Sequence, residues 1–182
     1  MSRVLVPLAQ GCEELEAITI TDLLVRAGVD VTTAGLDDSP VTASRGTRII
    51  PDTSIDNVLD QTFDLIVLPG GLPGADHLRD SDKVQALLKS HADQGKYIGA
   101  ICAAPKAMAA AGLLDGKKAT AYPGVLDSLA DERIEVCDSA VEIDGKIVTS
   151  RGPGTAMDFA LTLIELLEGS AKRDEVNQQL VR

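Results

Sequence analysis

Tryptophan is absent from the 182-residue chain, and phenylalanine and tyrosine occur only twice each. That scarcity argues against an aromatic platform on which unpaired bases could stack. Positive charge is short as well: 17 Lys and Arg face 28 Asp and Glu, a formal charge of -11, which argues against a basic nucleic-acid groove. Such acidity speaks to solubility rather than to fold. No apolar run reaches the length needed to cross a bilayer. The start, Met1-Ser2-Arg3 leading directly into Val4-Leu5-Val6, has neither the long apolar segment nor the cleavage site of a signal peptide. The expected location is the cytoplasm, with no membrane association.

Metal-binding residues are sparse. The three cysteines, Cys12, Cys102 and Cys137, form no Cys-x-x-Cys pair and no cluster with histidine, so neither a disulfide framework nor a metal site is expected. The two histidines, His77 and His91, sit in polar helical contexts and read as solvated surface residues. No Gly-x-x-x-x-Gly-Lys-Ser/Thr and no Gly-x-Gly-x-x-Gly follows a strand, so no nucleotide cofactor is expected.

What is present is a 45% apolar, 25% charged chain without internal repeats or low-complexity blocks, consistent with one domain over residues 1–182. Residues 4–9 read as a strand, 14–26 as a helix, 29–36 as a second strand, and 41–50 as a hairpin about Arg45-Gly46. Asp64-Leu-Ile-Val-Leu-Pro-Gly-Gly71 and Tyr97-Ile-Gly-Ala-Ile101 are apolar without alternation, the pattern of parallel strands covered on both faces. Helices are expected over 81–94, 103–111, 154–168 and 174–181, and further strands over 119–122, 134–137, 141–143 and 146–150. The alternation of strand and helix predicts an α/β fold with a mostly parallel sheet and helices on both faces.

In such sheets, sites gather beyond the carboxyl ends of the strands. Three polar clusters fall there: Gly11-Cys-Glu-Glu-Leu-Glu16, Pro69-Gly70-Gly71 and Ala100-Ile-Cys-Ala-Ala-Pro105. Cys102 occupies a strand-to-helix turn, where the amides of a helix start lower a thiol's pKa and favour the nucleophilic thiolate. A bland reading, a small core hydrophobe, stands beside it. Glu16 lies in the first turn of a helix; buried near Cys102 it would hold its proton more tightly and could exchange it with the sulfur or a substrate carbon. Glu13 and Glu14 compete for that role. Ser150-Arg-Gly-Pro-Gly-Thr155, a glycine-rich turn before a helix, can bind an anion. Cys12 reads as a partly exposed loop thiol and Cys137 as a strand residue.

Glu13-Glu-Leu-Glu16, Val67-Leu-Pro-Gly-Gly71, Ala100-Ile-Cys-Ala-Ala-Pro105 and Ser150-Arg-Gly-Pro-Gly-Thr155 together resemble the ThiJ/PfpI superfamily, in the branch of the human parkinsonism-associated deglycase and bacterial YajL proteins. The resemblance spans nearly the whole chain. It implies a flavodoxin-like three-layer sandwich, a homodimer, and no cofactor. Cys102 would be the nucleophile, Glu16 its acidic partner, and the amides of Gly71 and Ala103 a small anion pocket. Arg45 would reach the site from the partner subunit, and Arg26 would lie by the dimer interface. The implied substrates are methylglyoxal, glyoxal or their early adducts, with sulfinate-based redox sensing or chaperone activity as the alternative. One departure stands out. Human-type members place a histidine before the proline where this chain has Tyr122, a poor base at neutral pH, so no Cys-His pair can form there.

Overall fold

A computed structural model describes residues 1–182. From the amino terminus, β1 (Arg3–Leu8) leads to α1 (Glu14–Arg26) and β2 (Asp30–Gly35). A hairpin of β3 (Val41–Thr42) and β4 (Arg48–Ile49) precedes β5 (Thr53–Ser54), a 3₁₀ turn over Ile55–Val58, and β6 (Leu65–Leu68). Next come α2 (Gly74–Asp80), α3 (Asp82–Asp93), β7 (Tyr97–Ile101) and α4 (Pro105–Ala110). The remainder holds β8 (Lys118–Thr120), β9 (Glu135–Cys137), β10 (Val141–Asp144), β11 (Ile147–Ser150), α5 (Ala156–Glu168) and α6 (Ser170–Gln179).

Seven strands form the main sheet in the order β10-β11-β7-β6-β1-β2-β5, and every neighbouring pair is parallel except the β10–β11 hairpin. The apolar runs lie at its centre because both faces are covered. Val4, Val6, Leu65 and Val67 pack with Ala17, Ile20 and Leu24 of α1 and Phe159 and Ile164 of α5. The alternate residues Leu5, Ile66, Leu68 and Ile98 pack with Leu78, Leu88 and Met108 on the opposite face. A period-2 strand between two helical layers therefore needs apolar residues at every position. This is the α/β, flavodoxin-like sandwich expected from the sequence. No helix is long and apolar enough to cross a membrane.

From β1 the chain moves outward to β2, whereas from β6 it moves the other way to β7. The β1/β6 boundary is thus a switch point, and the loops leaving β1, β6 and β7 open onto one crevice.

Several local expectations change. The last helix starts at Ser170 rather than 174, because Gly169, at φ 89°, turns the chain sharply out of α5. Cys12 is fully buried rather than partly exposed. The close approach of Gly74 to its backbone explains this, since a Cβ on Gly74 would lie 2.6 Å from Cys12 N. His91 is also buried, on the inward face of α3, and its Nε2 has no hydrogen-bond partner. His77 is exposed, as expected.

Burial pushes the His91 imidazole below its ordinary 6.5, and Lys96 pushes the same way, opposed by the Asp64 and Tyr97 backbone and the Asp64 carboxylate. The unfolded chain therefore takes up this proton first as pH falls. The stability this neutral imidazole provides is complete above the unfolded value near 6.5 and is lost as pH drops toward the folded one. Urea unfolding from pH 7.5 to 5.5 should show stability falling less steeply in His91→Gln than in the parent; equal slopes would contradict the assignment.

Candidate active site

Cys102 follows β7 with φ at 64°, a left-handed conformation that costs a non-glycine residue roughly 1–3 kcal/mol unless its surroundings impose it. Two backbone bonds do so: its N–H donates to the Ser150 carbonyl at 2.9 Å, and its carbonyl accepts from the Tyr122 N–H at 2.8 Å. The helix after the turn begins at Pro105 and has only six residues, so residues 103 and 104 belong to the turn rather than to the helix expected from 103.

Glu16 is 0% exposed and Cys102 8%. Glu16 Oε2 accepts the Gly70 N–H at 2.8 Å, Oε1 has no hydrogen-bond partner, and the carboxyl stands beside Cys102 across Gly70. Gly70 makes the contact possible. A Cβ there would stand 2.6 Å from Cys102 Cβ and 2.8 Å from Glu16 Oε2, so a side chain would wedge the pair apart. The N–H groups of Gly71 and Ala103 reach the Cys102 sulfur from the backbone.

Burial raises the Glu16 carboxyl to about 7, against the lowering effects of the Gly70 N–H and the Cys102 thiol. The thiol is also raised, to about 12, first by burial and then by the Glu16 charge and hydrogen bond, with the Gly71 and Ala103 amides opposing. This reverses the lowering expected from helix-start amides alone. The opposing carboxylate, which local sequence does not reveal, outweighs two N–H groups. When Glu16 holds a proton, two of the three causes raising the thiol disappear. The thiolate is therefore favoured in the state where the carboxyl is protonated, and the two groups titrate as a pair.

The other acidic residues separate by contact. Glu13 Oε2 accepts from Ser44 Oγ at 2.9 Å. The Glu14 carboxylate receives Ser44 Oγ at 3.2 Å, Arg45 N at 3.0 Å and Thr47 N at 3.3 Å. Burial raises Glu14, but its own, Arg45 and Thr47 backbone bonds and the Thr47 hydroxyl together hold it at about 2. It clamps the β3–β4 turn against α1. That turn brings Arg45 of the same chain to the cavity of about 300 Å³ above Cys102, alongside Glu13, Leu72, Tyr122, Val125 and Pro153. The resemblance assigned this arginine to a partner subunit, yet within one chain it already lines the site. Arg26 lies at the far end of α1, bonded to Asp22 at 3.1 Å and outside the cavity.

The Ser150–Thr155 turn does not offer an open anion nest. Thr155 Oγ1 lies 2.7 Å from Ser150 Oγ and accepts the Gly152 N–H at 3.1 Å, so the turn satisfies itself. Sequence reasoning missed Val125 and Pro153 as walls and Glu14 as the clamp. Only the proline in the Gly-Pro-Gly turn carried a hint.

A family model described as the DJ-1/PfpI family matches residues 2–166. Protein dj-1beta of Drosophila melanogaster is 46% identical over 97% of this chain and 95% of its own, and its crystal structure superposes with a TM-score of 0.96. A Caenorhabditis elegans relative named glutathione-independent glyoxalase DJR-1.2 is 38% identical over 94% of this chain and 91% of its own. Protein DJ-1 homolog A of Arabidopsis thaliana is 45% identical over 98% of this chain, which spans only 46% of that relative; homolog B is likewise spanned only in part, 41%.

Glu16 yields a test of the dyad's electrostatics. Its carboxyl rises from 4.5 to about 7 on folding, so the folded chain holds this proton more tightly. The stabilisation is complete below 4.5 and is lost as pH rises through about 7. Glu16→Gln removes that dependence. Between pH 4.5 and 8 the stability difference should move in the variant's favour by about 1–3 kcal/mol in denaturant titrations, the size the linkage gives for such a rise. A difference independent of pH would refute the buried-carboxyl assignment.

Proposed function

Because the chain belongs to the DJ-1/PfpI family, we propose that it is a cofactor-free, cysteine-dependent glyoxalase or deglycase acting on methylglyoxal, glyoxal or their early adducts. The observation that supports this is the buried Glu16 carboxyl set beside Cys102, with the Gly71 and Ala103 amides next to the same sulfur. The name of the nematode relative, a glutathione-independent glyoxalase, points the same way.

In this reading the Cys102 thiolate adds to the aldehyde carbon, and the new oxygen anion is held by the two amides and takes the Glu16 proton. The resulting carboxylate removes the hydrogen from the former aldehyde carbon and returns a proton to the neighbouring carbon, while the proton on the first oxygen passes to the second, leaving a hydroxyacyl thioester. Water cleaves that thioester to lactate or glycolate and frees the thiol. The sum is dicarbonyl plus water, with no electron acceptor required. Lactate formation from methylglyoxal should fall at least ~10³-fold in Cys102→Ser and about 10²–10⁴-fold in Glu16→Gln, with contaminating glyoxalase excluded. Undiminished turnover in Cys102→Ser would sink the proposal.

A second reading is redox sensing, in which peroxide carries Cys102 to a sulfinate that accepts bonds from protonated Glu16 and the two amides. The raised Glu16 favours it, since a carboxyl that keeps its proton near neutrality can donate to an anion. A solved Toxoplasma gondii DJ-1, 43% identical with a TM-score of 0.94, is described as oxidised. Graded peroxide should add two oxygens to Cys102 first in mapped intact-mass spectra; earlier oxidation of Cys137 would count against this role.

The chain is further proposed to act in the cytoplasm and to pair with a second copy through α1. Leu15, Ile18 and Val25 are exposed at helical spacing on that helix, and such a stripe seeks cover. Sedimentation should give a dimer for the parent and a monomer for Ile18→Glu, whereas a monomeric parent would contradict the pairing.

A further inference from the structure

Beyond Tyr122 lies a second recess of about 420 Å³, lined by Ala121, Leu126, Asp127, Val136, Asp138 and Arg151 among others. Tyr122 is the one residue that borders both this recess and the Cys102 cavity, and it is 52% exposed. The segments flanking the divide serve both sides: Val125 and Pro153 face the Cys102 cavity, Leu126 and Arg151 the second recess. The Tyr122 ring lies over Gly152, where a Cβ would meet Cδ2 at 3.4 Å. Its N–H is bonded to the Cys102 carbonyl, which ties the divider to the nucleophile's turn.

The charges of the second recess are not spent on one another. Arg151 is held only through its backbone, its N–H donating to the Ala140 carbonyl at 3.1 Å, and its guanidinium has neither an ion pair nor a hydrogen bond. Asp127 and Asp138 line the same space, and their carboxylates are equally without partners. A free guanidinium and two free carboxylates, set apart in one concave space beside apolar Leu126 and Val136, match a ligand carrying both signs of charge on a short aliphatic stem.

We propose that this recess is a binding site for a free α-amino acid, seated as the portion of a dicarbonyl adduct that is not the reacting carbon. Arg151 takes the carboxylate in a two-point bond, Asp127 and Asp138 take the ammonium, and the stem passes Tyr122 toward Cys102. The site rests on the adduct-processing reading of Cys102 and deepens it by naming the group that accompanies the carbonyl. It also gives Tyr122 a part that needs no proton transfer, as the rim over which such a ligand must pass.

The probe is S-(2-hydroxypropyl)-L-cysteine, an inert thioether, titrated calorimetrically into the full chain. Binding should weaken at least about tenfold in Arg151→Gln and in the double variant Asp127→Asn/Asp138→Asn, the loss expected for a charge-assisted contact. The decarboxylated probe, S-(2-hydroxypropyl)cysteamine, should bind the parent at least about tenfold more weakly and be indifferent to Arg151→Gln. Equal affinity of parent and Arg151→Gln for the cysteine probe, equal affinity of the two probes, or no binding to the parent overturns the proposal. The double variant keeps the test decisive if Arg151→Gln does not fold. A parent that makes no lactate from methylglyoxal yet binds the cysteine probe through Arg151 removes the catalytic reading and leaves the amino-acid site standing. Lactate formation with a probe that ignores Arg151 does the reverse.

Discussion

A carboxyl group with no exposure to water, set against a thiol, is the constraint around which the rest of the site is arranged. Burying an ionised carboxylate costs several kcal/mol unless hydrogen bonds and nearby charge repay it. Glu16 receives one backbone N–H, from Gly70, its other oxygen has no partner, and no cation reaches it. Raised to about 7, it exchanges its proton near neutrality, and the protonated state leaves the sulfur beside two amides and a donor instead of a negative charge. The charge on Cys102 thus depends on where the proton sits between the pair as well as on burial of the thiol.

Such a pair survives only if its distance is fixed from outside, and the glycines show how. Gly70 permits the contact, while Gly71, at φ 88°, lies so close to the backbone of residues 11–13 that any side chain would collide with it. The loops leaving β1 and β6 thus meet main chain to main chain, a tighter registration than mobile side chains provide. The Glu13 N–H, bonded to the Gly70 carbonyl at 2.9 Å, completes the junction. Strand ends of a sheet buried on both faces supply the rigid base, and the left-handed Cys102 is the strain that this base supports.

Much of this arrangement was legible in the residues. Unalternating runs at 65–68 and 97–101 announced strands covered twice, and Pro-Gly-Gly and Cys at their ends marked where the chain leaves the sheet. What escaped reading depended on direction. Glu13, Glu14 and Glu16 lie within four positions, and only the 100° step of the helix sends one toward Cys102 and another to the Ser44–Thr47 turn. His91 and Cys12 stand among polar neighbours, so composition suggested water, yet each faces inward. The direction of the thiol's shift failed for a related reason: helix-start amides are visible in sequence, whereas the thiol's burial and a carboxylate 86 positions away are not.

Tyr122 shows what the absent histidine means physically. Without an imidazole at position 122, proton exchange at the sulfur falls to Glu16, the carboxyl set against it, and the dyad's proton inventory is closed. A closed inventory suits a reaction that ends with as many protons on the dyad as it began with. The conversion proposed above has that property, since the hydrogen leaving one substrate carbon is made good on the next. It is less suited to hydrolysis of a peptide bond, where an amine must be protonated as it leaves while water is deprotonated elsewhere. A half-exposed phenol at the rim instead offers surface, between one cavity that holds the Cys102 sulfur and another that holds unspent charge. The substitution therefore moves residue 122 from the proton economy of the site to its geometry.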